Sequence, residues 1–182
     1  MEVGSYHQLD SDRPPVISIV SDTHIEIYEM EKCNLPPKSD VLILAGDIGC
    51  PYSNGYFQFI KYCAENNQIV LVISGNHEYY YSEENEKRVM KDTEEQIRNV
   101  CYQFNNVFYL QKECFRYTYG TKTVVFIGCT LWSLPECDIY GFNDFYRIKD
   151  MTIQKYIGLH CDHRKWLMKT LDDEEYWDVT KV

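Results

Sequence analysis

The 182-residue chain predicts an α/β fold in which a parallel sheet, built through helical crossovers, is followed by antiparallel strands. Two observations carry this. Three short apolar runs, Val16-Ile17-Ser18-Ile19-Val20, Val41-Leu42-Ile43-Leu44-Ala45 and Ile69-Val70-Leu71-Val72-Ile73, lie far enough apart for crossovers and read as strands covered on both faces. Beyond residue 106 the apolar runs close up, and Gly120-Thr121 separates two of them as a hairpin turn would.

Residues 1–15 are polar, end in Pro14-Pro15 and predict a loosely ordered lead-in. The first strand covers 16–20. The following segment, 25–40, carries Pro36-Pro37 and admits a short helix at best. After the second strand, 55–67 reads as a helix with Phe57, Ile60 and Ala64 on one face. The third strand, 69–73, leads to a charged helix over 82–101, capped by Ser82 and striped by Val89, Thr93, Ile97 and Val100. Strands follow at 107–110, 114–119 and 122–129, then an irregular loop through Asn143-Asp144-Phe145. A last helix, 152–171, has the stripe Ile153, Ile157, Cys161, Leu167 and Leu171, and 178–182 opens another strand. With no repeat and no linker, residues 16–182 read as one domain.

Composition narrows the function. With 18 Lys+Arg against 28 Asp+Glu the net charge is −10, which argues against a broad nucleic-acid-binding surface. No run approaches membrane-spanning length and the N-terminus has no basic-then-apolar signal pattern. Eight cysteines without a C-x-x-C pair fit free thiols, several of them in elements, and a cytoplasmic location.

The chemistry gathers where the parallel strands end. The first runs into Ser21-Asp22-Thr23-His24, the second into Gly46-Asp47, and the third into Ser74-Gly75-Asn76-His77-Glu78. Open α/β sheets place their ligands at the carboxyl ends of strands. Carboxylate, imidazole and carboxamide together suit Mn²⁺, Fe, Zn²⁺ or Ni²⁺. Asp47, from the middle strand in sequence, is placed to bridge two ions if that strand is also central in space. Two such ions hold a hydroxide and stabilise the entering and leaving oxygens of an in-line displacement at phosphorus.

In order, Asp22-Thr23-His24, Gly46-Asp47 and Gly75-Asn76-His77-Glu78 resemble the D-x-H, G-D and G-N-H-[DE] motifs of the calcineurin-like metallophosphoesterases. The stretch Gly128 to Trp132 and Asn143-Asp144-Phe145 are similar to a branch of that family. The resemblance implies a two-layer β-sandwich of mixed sheets flanked by helices, and metal-dependent hydrolysis of phosphate esters, as a phosphatase or phosphodiesterase. It also implies that Asp22 and His24 bind one divalent ion, Asp47 bridges and Asn76 binds the second, with manganese among the ions accepted. His77 is then the catalytic residue at the leaving oxygen, and Glu78 orients a neighbour. The family's later His motifs have no counterpart before Val182; His160 and His163 lie in the last helix and match neither. This leaves the alternative of a catalytically weak or inactive, C-terminally incomplete scaffold acting through a partner. A cut strand edge invites a homodimer or an added strand. The plain readings stand for the rest: His160 and His163 as helix-face residues, Tyr79-Tyr80-Tyr81 as packing and rim, and Asp172-Asp173-Glu174-Glu175 as a solvated helix end.

Overall fold

The computed structural model describes residues 6–8, 13–27, 36–81, 88–135, 141–173 and 180–182. Eight strands form two sheets. The strands β2 (Ile17–Val20), β3 (Val41–Ala45), β4 (Ile69–Ile73) and β5 (Val107–Tyr109) pair in that order, all parallel. The second sheet is mixed. In it β1 (Tyr6–Gln8), β6 (Glu113–Tyr119), β7 (Lys122–Gly128) and β8 (Thr180–Lys181) lie side by side, with β6 and β7 antiparallel across Gly120-Thr121.

The apolar runs of β3 and β4 are explained by what covers each face, whereas in the first run, at the sheet's edge, Val16 and Ile19 are exposed. Leu42, Leu44, Val70 and Val72 pack on α1 (Asn54–Asn66) and α2 (Met90–Cys101), through Tyr56, Phe59, Ile60, Cys63, Ile97 and Val100. Their neighbours Val41, Ile43, Ile69 and Leu71 face the other sheet at Phe115, Tyr117, Val124 and Phe126. With period-two side chains and both faces covered, no polar position is left in these strands. The fold is therefore the two-layer sandwich with flanking helices that the motifs implied. Short α3 (Asp144–Arg147) and long α4 (Ile153–Leu171) complete the elements. Among the described residues no helix is long and apolar enough to cross a membrane.

Several expectations shift. The stretch 1–15 contributes β1, parallel to β6; a three-residue strand carries no periodicity, and its pairing comes from β6. Arg13 then grips Asp40 through both guanidinium nitrogens at 2.7 and 2.9 Å, and Val16 N–H donates to the same carboxylate at 2.7 Å. The Arg13 hydrogen bond holds the Asp40 carboxyl below its ordinary range, against partial burial. The helix expected from Ser82 begins at Met90, with Val89 extended at its N-cap and donating its N–H to Asp92. Ser82 lies outside the described residues, as do Cys33, Cys137, Glu174, Glu175, Asp178 and Val179. Arg88 and Val89, directly before the helix, are outside it. The face of α1 centres on Tyr56, Phe59, Ile60 and Cys63, with Phe57 and Ala64 only partly buried. In α4 the buried residues are Tyr156 and His163, while Ile157 and Cys161 are exposed. Specific hydrogen bonds at His163, described below, replace the apolar stripe there.

Candidate metal centre

Each parallel strand hands the chain to a tight turn at the same end of the sheet. Asp22, His24 and Asp47 all have left-handed backbone, with φ of 56°, 45° and 54°. For a residue other than glycine this costs about 1–2 kcal/mol, and such cost persists where the surroundings impose it. Here main-chain bonds extend the β2–β3 pairing past the strands: Asp22 N–H donates to Gly46 O (3.1 Å), His24 N–H to Asp47 O (3.1 Å) and Ile25 N–H to Ile48 O (2.9 Å). The β3 and β4 turns approach closely. A Cβ on Gly46 would stand 2.7 Å from Gly75 N, and one on Gly75 would stand 2.1 Å from Asp47 Oδ1. That contact explains the glycine before Asp47 and the one before Asn76.

Glu78 locks the two turns together. It is 2% exposed, and its carboxylate accepts from Gly75 N–H (2.7 Å), Asp47 N–H (3.1 Å) and Ile48 N–H (2.7 Å). Burial pushes its carboxyl up to about 7; the bond from Ile48 works against that rise and the Asp47 charge adds to it. The role read from the sequence, orienting a neighbour, is thus exerted on the backbone of Asp47.

The side chains converge as follows. Ligand atoms of His24, Asp47 and His77 lie within 4.8 Å of one another. The His24 and His77 rings meet edge to face at 4.4 Å, and His77 stacks on Tyr80 at 4.3 Å. His77 N–H donates to Asp47 Oδ1 at 2.9 Å, and Glu26 Oε1 is 3.1 Å from His24 Nδ1 and 3.6 Å from His77 Nδ1. Asp22 falls outside the three-residue cluster but lines, with Asp47, Asn76 and Asp144, one cavity of about 370 Å³. Because β3 is between β2 and β4, Asp47 is the central carboxylate of the set. On the far wall stand Leu131, Trp132, Phe142 and Tyr156.

Among the described residues no lysine or arginine lines this cavity. Carboxylates gathered without a protein cation are costly unless a bound cation compensates them. The donors therefore fit divalent ions: carboxylates, an amide oxygen, and an imidazole that Glu26 engages through Nδ1, leaving Nε2 as a ligand. The sequence profile of the calcineurin-like phosphoesterases matches residues 15–174. This chain belongs to the calcineurin-like phosphoesterase family. The chain is 26% identical over 185 residues to an uncharacterized protein of Acanthamoeba polyphaga mimivirus, covering 92% of this chain and 60% of that one. It thus spans about three fifths of the length of that curated relative. Among solved structures it is similar to the phosphopantetheinyl hydrolase of Mycobacterium tuberculosis, with a TM-score of 0.66, 15% identity, and coverage of 92% of this chain and 67% of that one. At that identity the likeness speaks for the fold.

Sequence reading had assigned no site role to three residues that touch this set. Glu26 bonds His24, Tyr80 stacks on His77, and Asp144 accepts a hydrogen bond from Asn76 at 2.9 Å. Glu26 was within reach, two residues after His24. Asp144 lies in the Asn143-Asp144-Phe145 stretch that resembles a branch of the family, but nothing local names Asn76, 68 residues earlier, as its partner. The two α4 histidines keep to a structural part. His163 Nδ1 accepts from Leu131 N–H at 3.2 Å, and His160 Nδ1 bonds Trp132 O, so both fasten the far wall.

Proposed function

We propose that the phosphoesterase hydrolyses phosphate esters at two divalent ions, one held by Asp22 and His24, the other by Asn76, with Asp47 shared between them. The observation that carries this reading is Asp22, Asp47 and Asn76 lining one cavity, with ligand atoms of His24 and His77 within 4.8 Å of Asp47. When bound, the ions supply an activated water and neutralise charge on the phosphoryl oxygens. The chain's own residues do the rest. Asp47, pinned by Glu78 through its N–H and bonded by His77 N–H, holds its carboxylate at the centre of the set. His77, its ring fixed between His24 and Tyr80, delivers a proton to the leaving oxygen. Manganese is among the ions that the mixed nitrogen and oxygen donors accept, beside iron, zinc and nickel. The buried thiols of Cys63 and Cys101, in no disulfide, suit a reducing compartment such as the cytoplasm.

The test is hydrolysis of nitrophenyl phosphate, as monoester and as diester, titrated with Mn²⁺. Asp47→Asn is expected to lower the metal-dependent rate about 10³-fold or more. His77→Ala is expected to lower it about 10²- to 10⁴-fold while leaving Mn²⁺ uptake in place. Full activity in either variant overturns the reading.

A further inference from the structure

An asparagine side chain can turn either its oxygen or its amino group towards a cavity, and only the oxygen ligates a cation. In this chain the choice is made. Asn76 Nδ2 donates to Tyr80 Oη at 3.0 Å and to Asp144 Oδ1 at 2.9 Å, so both of its N–H groups are engaged. Its Oδ1 has no hydrogen-bond partner among the described residues.

The two acceptors are not equivalent. A phenol both donates and accepts, so Tyr80 would serve a turned amide equally well by donating to its oxygen. An ionised carboxylate only accepts. Asp144 is 5% exposed and lines the same cavity. The segment that carries it is fastened to the Asn76 turn: Tyr81 N–H donates to Arg147 O at 2.8 Å, and Tyr80 bridges to Ile148. The Arg147 guanidinium stands 5.6 Å over the Tyr80 ring.

We propose that Asp144 is a positioning residue that fixes the Asn76 amide with its oxygen turned to the metal site, by taking an N–H that the opposite orientation would withhold. This rests on reading Asn76 as a ligand of the second ion. Asp144 touches neither substrate nor ion in this role. It sets the polarity of the one ligand whose two ends are otherwise interchangeable, and Tyr80 supports the same orientation while stacking on His77. Outer partners of this kind govern metal affinity by about 10–100-fold.

The experiment is Mn²⁺ binding to the full chain, followed by the electron paramagnetic resonance signal of the free ion, in the wild type, Asp144→Ala, Asp144→Asn, Asn76→Ala and the double variant Asn76→Ala/Asp144→Ala. The wild type is expected to take up two ions. Asp144→Ala is expected to weaken the second by about 10–100-fold. Asp144→Asn, whose amide oxygen still accepts, falls between. In the Asn76→Ala background, removing Asp144 adds nothing, because its effect runs through Asn76. Unchanged affinity in Asp144→Ala overturns the proposal and leaves the metal reading standing. A loss that persists in the Asn76→Ala background also overturns it. Melting curves accompany each variant; if Asp144→Ala is unfolded, the cycle is run with Asp144→Asn and read by the same additivity. No Mn²⁺ uptake by the wild type overturns the metal reading, and this proposal with it.

Discussion

The cavity has two walls of different construction. One is made by the turns after β2, β3 and β4, where the candidate ligands follow their strands within four positions and left-handed backbone aims Asp22, His24 and Asp47. The other is made by residues 130–133, Phe142, Asp144 and Tyr156, which arrive from separate elements, with Leu131 and Trp132 held by α4. The first wall places functional groups by main-chain geometry; the second orients them by contacts distant in sequence. Location and orientation of the site are thus set by different parts of the chain.

The comparison breaks most sharply at Gly75. If the first wall is fixed by backbone approach, the Cβ of Gly75→Ala, 2.1 Å from Asp47 Oδ1, forces the turns apart. A loss of about 1–3 kcal/mol is expected, with the melting temperature falling by about 3–10 °C and metal-dependent hydrolysis lost. Calorimetry that shows wild-type stability would mean the turns are not locked. Glu78→Gln is expected to come next. An amide has one accepting oxygen where the carboxylate has two, so at least one of the N–H groups of Gly75, Asp47 and Ile48 loses its acceptor. A cost of about 1–3 kcal/mol in denaturant unfolding follows.

The smallest effect lies on the second wall and depends on pH. His163 is buried, and burial holds its imidazole below the ordinary value, with Lys112 adding to this and Asp162 opposing it. The folded form therefore binds the proton less readily than the unfolded form. Its contribution is present above the ordinary pKa of about 6.5 and is lost as pH falls below it. Between about pH 7.5 and about pH 5.5 the wild type should lose more melting temperature than His163→Gln, as the Leu131 N–H gives up its acceptor. Equal losses would leave His163 out of the account.

How much of this could be read in the sequence follows the same division. The strand ends were legible because apolar runs stop abruptly at Ser21-Asp22, Gly46-Asp47 and Ser74-Gly75, and a strand's end is a local property. The centrality of Asp47 needed only the strand order. Asp144 was not legible as a partner of Asn76, since nothing in Asn143-Asp144-Phe145 encodes a contact 68 residues away. The face of α4 misled for a related reason. A histidine is buried there because it accepts a hydrogen bond from Leu131, while apolar Ile157 faces solvent. The start of α2 was not legible either, since the extended Val89 that precedes it is not a capping residue by type and its N–H is taken by Asp92.

The buried Glu78 carboxylate has one more consequence. The amides of Asp47, Ile48, Gly49 and Gly75 belong to no strand, yet all four donate to this one side chain, and His77 N–H donates to Asp47 beside them. In heavy water these turn amides are expected to exchange as slowly as those of the adjoining strands, and together, because a single opening that withdraws one carboxylate exposes all four. The turns of this site thus behave as an extension of the sheet, cooperative through a side chain where a sheet is cooperative through its backbone.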